Sequence, residues 1–487
     1  MSEKNVVINE SEARLQKVES IRATDGVVWK DKFLRTNTIA EARLMSDGEK
    51  LKTAGRLVAA RWMGGLMFGK IYDIGGEIQV SFSANDIGQD KFDWLHNNLD
   101  LGDFIGLDGE IYHTTRGELT VKGFEYKILS KALRGLPDKH HGLVDVETRY
   151  RQRYLDMISN SEVRDVMKLR FAMMKFIREF LGKNNFVEIE TPILQNIASG
   201  AAAKPFITHH NALDADFYLR IAPELYLKQA VAAGFDRVFE MGKNFRNEGI
   251  DPTHLQEFTM LEWYAAYWDW SDNVEFSISL IQEMLLTLNG TLKIKYQDAE
   301  LDFSKFARMD YIAELSKIFG QDILSLSDLA AAKKVLLDKG LFKEFELKEI
   351  KSVMGLVDFV FKKKIRANTI QPTIVYNYPA YMKPLARRSD KDARASDVFQ
   401  LVVAGAEMIN AYSELVDPLQ QRAAFAEQMD NKAAGEEEGV ELDEDYIRAM
   451  EHGMPPVSGL GLGIDRWVML LTDQPSVRDV ILFPLMK

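Results

Sequence analysis

The sequence predicts an α+β protein of two domains, in which a small N-terminal β-barrel precedes an antiparallel sheet flanked by helices. The chain of 487 residues is too long for one ordinary hydrophobic core. Residues 53–130 form short strand-like segments separated by turn signals, which favours a barrel. Beyond residue 160, helical spacing alternates with strands that carry charged groups at a period of two, which indicates a second domain of helices and strands.

Composition excludes several classes of protein. The apolar fraction is 46%, as in globular proteins, yet no apolar run approaches the roughly 20 residues of a membrane span. The first residues lack the apolar segment of a secretory signal, so we expect a cytoplasmic protein with no membrane partner. The sequence contains no cysteine, which excludes disulfides, zinc–thiolate sites and a cysteine nucleophile. The net charge of −12 argues against non-specific coating of nucleic acid, because that binding requires Lys and Arg to neutralise phosphates.

The first domain, residues 1–145, is predicted to contain a lead-in helix and a five-stranded barrel. The helix is indicated by apolar residues at helical intervals, namely Leu15, Val18 and Ile21. The strand spacing that follows suits an oligonucleotide-binding fold. On its second and third strands, Phe68 and Gln79 are suited to stack on and hydrogen-bond unpaired bases. The alternative is that Phe68 is an ordinary core residue.

The second domain, residues 146–487, begins with a helix over 163–181. A strand over 217–221 and a second helix follow, with Pro223 in the first turn of that helix and Gly234 at its end. Glu224 therefore lies near a helix start, where the helix dipole favours a carboxylate, although an ordinary first-turn Glu is the alternative. Residues 300–370 are predicted to form a helical, charged insertion.

Residues 237–264 are predicted to form an antiparallel hairpin with one chemically active face. Apolar residues occupy the opposite face. The active face collects a phosphate-binding cation, carboxylates and aromatic rings: Arg246, Glu248, Phe258, Glu262 and Tyr264. This combination predicts a nucleotide-binding surface, and a solvated strand face is the alternative.

A later strand is predicted to carry Asn410, Tyr412 and Glu414 on one face. Glu407 is out of phase with them, so a bulge between Glu407 and Asn410 is needed to direct both carboxylates inward. Two acids beside a triphosphate would suit magnesium, whereas two surface acids are the alternative.

The last predicted strand carries Gly459, Gly461 and Gly463 on one face, which would allow a ligand to approach the backbone closely. Asp465 is predicted to cap the helix that follows. Arg466 is predicted to direct a guanidinium into the same cleft, where it would suit phosphate oxygens.

Three segments resemble the signature motifs of class II aminoacyl-tRNA synthetases, most closely the lysyl branch. FVEIETPIL at 186–194 resembles motif 1, FRNE at 245–248 resembles motif 2, and GLGLGIDR at 459–466 resembles motif 3. The APELYLK segment at 222–228 and the run at 131–160 are also similar to lysyl enzymes. The resemblance implies a homodimer that uses ATP and Mg²⁺ to activate L-lysine and transfers it to tRNA(Lys), with the barrel binding the anticodon. A catalytically silent tRNA-binding paralogue, or an aspartyl or asparaginyl enzyme, is the alternative.

The resemblance also implies a role for individual residues. Those implied to bind ATP are Arg246, Glu248, His254, Phe258, Glu407 and Arg466, and Arg246 and Arg466 are implied to be catalytic. Those implied to bind lysine are Gly200, Glu224, Glu262, Tyr264, Asn410, Tyr412 and Glu414. Arg61, Phe68 and Gln79 are implied to bind the anticodon, and Glu407 and Glu414 to bind magnesium.

Several residues depart from the family pattern. Leu255 and Gln256 stand where Asn and Pro are expected, and Asn377, Met382 and Lys383 also differ from the expected residues. The sequence assigns no role to these changes.

Overall fold

The computed structural model describes residues 10–137, 143–198, 200–201, 203–249, 251–433 and 442–486. The chain divides into two compact units, Met1–Arg164 and Asp165–Lys487. The first unit includes two short helices after residue 145, which our predicted boundary assigned to the second domain.

The first unit contains the predicted five-stranded barrel. The barrel is closed in the order β1-β2-β3-β5-β4, which confirms the oligonucleotide-binding type of fold. Its elements are α1 (Glu10–Asp25), α2 (Ile39–Ala42), β1 (Lys50–Met63), β2 (Leu66–Asp73), β3 (Gly76–Ser83), α3 (Ala84–Ile87), α4 (Gln89–Asn98), β4 (Phe104–His113), β5 (Leu119–Ser130), α5 (Val146–Arg151) and α6 (Arg153–Ser159). Ile78, Val80 and Phe82 alternate into the barrel core, as their period of two predicts.

Helix α1 buries a different set of side chains from the predicted one. Val18 and Ile21 are buried, but Leu15 is half exposed and Arg14 is buried in its place. The Arg14 guanidinium donates to the carbonyl oxygens of Leu101 and Ala132, at 3.1 and 3.0 Å. These hydrogen bonds compensate for the loss of hydration, so a long polar side chain occupies an inward position.

The second unit is built on a sheet of eight strands in the order β14-β15-β16-β17-β18-β11-β10-β6. The central strands are antiparallel. Each edge strand is parallel to its neighbour: β14 to β15 and β6 to β10. The elements up to the hairpin are α7 (Ser161–Lys183), β6 (Val187–Glu188), β7 (Leu194–Gln195), β8 (Phe206–His210), β9 (Ala215–Leu219), α8 (Glu224–Ala232), β10 (Arg237–Phe245) and β11 (Glu257–Ala266).

The predicted insertion contains helices and also adds a strand to the sheet. Its elements and those around it are α9 (Trp270–Asn289), β12 (Lys293–Tyr296), β13 (Ala299–Asp302), β14 (Ala307–Asp310), α10 (Tyr311–Phe319), α11 (Leu329–Asp338), α12 (Glu344–Leu347) and α13 (Val353–Val360). Leu315, Leu336 and Leu356 form an apolar cluster with Val398 and Val402 of the sheet. The insertion therefore packs on the sheet and is not a detached appendage.

The remaining elements are β15 (Thr373–Pro379), β16 (Ala395–Val403), β17 (Ala406–Ser413), α14 (Pro418–Ala433), α15 (Glu444–Glu451), β18 (Val457–Gly463) and α16 (Ile464–Leu471). Strands β17, β18 and β11 lie side by side and bring the three predicted chemical strands together. Among the helices of the described residues, none is both long enough and apolar enough to cross a membrane.

Candidate active site

A cavity of about 610 Å³ opens over the centre of the eight-stranded sheet. Neighbouring strands place their functional residues in register: Glu262 of β11 and Asn410 of β17 both pair with Gly461 of β18. The predicted residues that line the cavity are Gly200, Glu224, Arg246, Glu248, His254, Phe258, Glu262, Tyr264, Glu407, Asn410, Tyr412 and Arg466. Of the residues predicted to bind ATP or lysine, Glu414 is the exception.

One end of the cavity, here called the acidic end, is formed by Glu224, Glu262, Tyr264 and Tyr412. The Tyr412 hydroxyl donates to Glu224 Oε1 at 2.7 Å, and the Tyr264 hydroxyl donates to Glu262 Oε2 at 3.1 Å. Both tyrosines thus fix the position of a carboxylate while their rings form the walls. Carboxylates between aromatic rings are the groups that can hold an ammonium ion away from water.

Lys228 lies beneath the acidic end and was not identified from the sequence. Its Nζ donates to Glu224 Oε1 at 2.6 Å and forms an ion pair with Glu414. Its side chain has no exposed surface. Burial disfavours the charged lysine, but the two carboxylates outweigh burial and raise the pKa of Lys228. The helical spacing of four residues from Glu224 was the available sequence signal.

Burial and mutual repulsion control the charge of the acidic end. Burial, followed by repulsion from Glu224, raises the pKa of Glu262 to about 8. Burial also raises the pKa of Glu414 well above its ordinary value, despite the ion pair with Lys228. A cationic ligand would favour the ionised form of these acids, so its binding should be coupled to proton release.

The opposite end of the cavity, here called the guanidinium end, contains Arg246 and Arg466. Arg246 lies with its guanidinium carbon 5.1 Å from the centre of the Phe258 ring, and burial lowers its pKa. Arg466 Nη1 donates to the carbonyl oxygen of Glu407 at 2.7 Å, and Nη2 lies 2.9 Å from His254 Nε2. Two guanidinium groups and a ring in one cleft are suited to a nucleotide.

The hydrogen bonds of His254 indicate its tautomer. Arg466 can only donate, so His254 Nε2 accepts and the proton lies on Nδ1, which is 2.8 Å from Asp251 Oδ2. Burial would raise the pKa of Asp251, but hydrogen bonds from Thr253 and His254 lower it to about 2. His254 therefore connects an ionised carboxylate to the Arg466 guanidinium.

The motif 2 loop is held at its base by two of the departing residues. Gln256 is buried, its carbonyl oxygen accepts from the Arg246 amide at 2.8 Å, and its Nε2 donates to the Glu248 carbonyl at 2.8 Å. Leu255 is buried beside it. These contacts tie the two sides of the loop together at its base.

The prediction that Asp465 caps a helix is wrong. Helix α16 begins at Ile464, so Asp465 lies inside the first turn and Gly463 occupies the cap position without a side-chain bond. The Asp465 carboxylate instead accepts from Arg170 Nη1 at 2.6 Å and from the Thr259 amide at 2.9 Å. It joins the hairpin to α16 and thereby positions the neighbouring Arg466.

The predicted bulge in β17 is present. Leu401 pairs with Ile409 and Val402 pairs with Glu407, so Met408 is the extra residue. The bulge brings Glu407 to the cavity at the guanidinium end.

The structure does not bring Glu407 and Glu414 together around one ion, which contradicts their prediction as a magnesium pair. They lie near the two ends of the extended segment that contains β17, and seven residues at about 3.3 Å each span at most about 23 Å. Glu414 is 1% exposed and is paired with Lys228 beneath the acidic end. Of the two carboxylates, Glu407 lines the cavity and Glu414 does not.

The glycine face of β18 serves two purposes. A Cβ added to Gly459 would lie 2.2 Å from the Tyr264 ring and 2.4 Å from Glu414 Oε1, so this glycine makes room for protein groups. At Gly461 the nearest atom would be 3.7 Å away, an ordinary van der Waals contact, and this glycine lines the cavity.

A polar network that the sequence did not reveal lines the cavity beside Asn410. Lys383 Nζ and Gln400 Nε2 donate to Asn410 Oδ1, at 3.2 and 3.3 Å. The Tyr378 hydroxyl donates to Gln400 Oε1 at 2.7 Å. Loss of hydration lowers the pKa of Lys383.

The predicted anticodon residues share one outer face of the barrel. Arg61 pairs with Phe68 across β1 and β2, and Phe68 pairs with Ser81 of β3, two residues from Gln79. Phe68 is partly buried and is not one of the buried core residues of the barrel. Gln79 Nε2 donates to Thr120 Oγ1 at 2.9 Å, which orients its amide.

Comparison with known proteins agrees with both units. Residues 51–129 match the OB-fold nucleic acid binding domain, and residues 145–487 match the tRNA synthetases class II (D, K and N). Similar proteins include the lysine–tRNA ligase of Aquifex aeolicus (strain VF5), 47% identical over 89% of this chain and 72% of the relative. The lysine–tRNA ligase of Pelotomaculum thermopropionicum is 44% identical over 97% of this chain and 94% of the relative. That of Erwinia tasmaniensis is 42% identical over 98% of this chain and 96% of the relative. The chain therefore belongs to the class II tRNA synthetases and, within them, to the lysine–tRNA ligase family.

Proposed function

We propose that the chain joins L-lysine to the 3′ end of tRNA(Lys) in two steps with ATP. A carboxylate oxygen of lysine attacks the α-phosphorus, the bond to the β-phosphate oxygen breaks, and lysyl-adenylate and pyrophosphate form. A ribose hydroxyl of the terminal adenosine then attacks the carbonyl carbon, and AMP leaves. The observation that carries this proposal is a single cavity with carboxylates at one end and guanidinium groups at the other.

The acidic end supports lysine over the substrates of related enzymes. Glu224 and Glu262, held by tyrosine hydroxyls, would pair with the amino groups of lysine. A side-chain carboxylate of aspartate would meet like charge there, and asparagine would leave buried acids unpaired. An aspartyl or asparaginyl specificity is disfavoured for this physical reason.

The guanidinium end would bind ATP. Arg246 would contact the α-phosphate and the lysine carboxylate, and Phe258 would stack on adenine, whose amino group would meet Glu248. Arg466 and His254 would bind the outer phosphates. Catalysis then follows from holding the two reactants in line and stabilising the negative charge that develops between them.

Magnesium fits this end of the cavity through one protein carboxylate. Mg²⁺ commonly binds one or two carboxylates and takes its other ligands from phosphates and water, and Glu407 lines the cavity beside Arg466. A bound ion would neutralise phosphate charge and favour departure of pyrophosphate.

The remaining parts of the proposal concern the tRNA and the assembly. Arg61, Phe68 and Gln79 would bind the anticodon through stacking and amide hydrogen bonds. A homodimer is supported by half-exposed apolar side chains in and after α7, at Phe171, Val187, Ile193 and Leu194. We place the reaction in the cytoplasm.

The direct test is ATP–pyrophosphate exchange with lysine, aspartate or asparagine, without tRNA. We expect exchange that requires lysine and magnesium and that Arg246→Ala abolishes. Folded wild-type protein that binds tRNA but exchanges with none of the three amino acids would instead support the silent tRNA-binding paralogue.

A further inference from the structure

Lys383 places an ammonium group at the middle of the cavity, between its two ends. It donates to Asn410, which pairs across the sheet with Gly461, and Gly461 pairs in turn with Glu262. Tyr412, the next residue on the face of Asn410, belongs to the acidic end. Glu407 lies on the other side, across the bulge, at the guanidinium end. The ammonium therefore lies where an amino acid and a nucleotide would meet.

Lys383 is a cation that forms no ion pair among the described residues. The ion pairs of this part of the chain include Lys228 with Glu224 and Lys362 with Asp358 at 2.6 Å, but none with Lys383. Its contacts are the Asn410 amide oxygen and the Tyr378 ring, whose centre is 5.3 Å from Nζ. It retains partial exposure to the cavity. The carboxylates of Glu407, Asp358 and Glu224 act on the ammonium electrostatically and favour its charged form, but none of them forms an ion pair with it. A partly desolvated ammonium whose direct contacts are neutral would gain from an anion that binds it directly.

Lys383 also fixes the orientation of Asn410. An ammonium has no acceptor, so the Asn410 atom that faces Nζ must be the oxygen, and Gln400 Nε2 approaches the same oxygen. The Asn410 amide nitrogen is then the atom left to donate to a ligand. Two donors, an ammonium and an amide, thus belong to one subsite.

We propose that Lys383, with Asn410 oriented by it, binds an oxyanion at the reacting centre, either the lysine carboxylate or a phosphate of ATP. This inference rests on the proposed function, since it assumes that both substrates occupy the cavity. It assigns a role to a residue that departs from the family pattern. The ammonium supplies a positive charge beside Asn410 in the cavity lining.

The test is equilibrium binding by calorimetry to the full chain and to Lys383→Met, which keeps the length of the side chain without its charge. The four ligands are L-lysine, L-lysinol, ATP and adenosine. We expect Lys383→Met to weaken binding by about 10- to 100-fold, as for loss of a charge-assisted hydrogen bond. The substitution should lower the affinity for L-lysine but not for L-lysinol, or the affinity for ATP but not for adenosine. The first pattern assigns the carboxylate and the second assigns the phosphate.

Lys362→Met is the matched control, because it removes a cavity-lining lysine that already has a carboxylate partner. We expect little change in the affinity of any of the four ligands. Equal affinities for Lys383→Met and wild type, or equal weakening of all four ligands, would overturn the proposal. Wild-type protein that binds neither lysine nor ATP would instead refute the proposed function. Matching thermal unfolding of the variants guards against misfolding.

Discussion

Affinity for lysine should rise with pH between about 6.5 and 8, because Glu262 must lose a proton before it can pair with an ammonium group. Burial and the neighbouring Glu224 raise the pKa of Glu262 to about 8. The ammonium of the lysine side chain has a pKa of about 10.4, so it stays charged throughout this range. The carboxylate is therefore the group whose ionisation changes.

The size of the effect follows from this pKa. If lysine binds only when the Glu262 carboxylate is ionised, the apparent Kd is multiplied by the factor 1 + 10^(pKa − pH). This factor falls from about 33 at about pH 6.5 to about 2 at about pH 8. Affinity for lysine then rises about 16-fold, which corresponds to about 1.6 kcal/mol.

The assay is calorimetric titration with L-lysine at several pH values, in two buffers that differ in ionisation enthalpy. Wild-type protein should release close to one proton per lysine bound near pH 6.5 and fewer as the pH rises. Glu262→Gln should bind lysine more weakly and should lose this pH dependence. Glu188→Gln, which alters a surface acid paired with Arg178, should behave as wild type. A wild-type Kd that stays constant over this range, with no proton release, would refute the reasoning.

Three further predictions concern stability and tRNA. Gly459→Ala should destabilise the protein by about 1–3 kcal/mol in urea unfolding, because its Cβ would overlap the Tyr264 ring. Gly461→Ala should destabilise the protein less, and equal effects of the two substitutions would contradict the contact argument. Asp465→Ala should lower the free energy of unfolding by about 3–5 kcal/mol in the same assay, because it leaves the buried Arg170 guanidinium without its carboxylate. A change below about 1 kcal/mol would show that this ion pair does not stabilise the fold. Phe68→Ala should weaken tRNA binding by about 1–3 kcal/mol, with unchanged lysine-dependent pyrophosphate exchange, and altered exchange would exclude a role confined to the anticodon.

Much of the candidate site could be predicted from the sequence because strand faces are a local property. A period of two places Arg246, Phe258 and Glu262 on one face of the hairpin, whatever the rest of the chain does. The same argument required a bulge before Asn410, and the structure has it at Met408. The closed barrel likewise followed from strand spacing and turns.

Other parts of the site depended on which elements pack together, which local spacing cannot specify. Asp465 turns towards Arg170, a residue distant in sequence, instead of capping its own helix. Glu407 lines the cavity, whereas Glu414 lies outside its lining and pairs with Lys228, a residue of a distant helix.

The sequence by itself determined the two-domain α+β organisation, the chemical face of each strand and, through its motifs, the family. Only the tertiary structure decided that Lys228 pairs with Glu414 as well as with Glu224 of its own helix, and that Lys383 faces the middle of the cavity with no ion-pair partner among the described residues. The physical reason is that a charge acquires its role from the groups that surround it after burial. Those groups come from strands and helices far apart in the chain, and folding alone brings them within a few ångströms of one another.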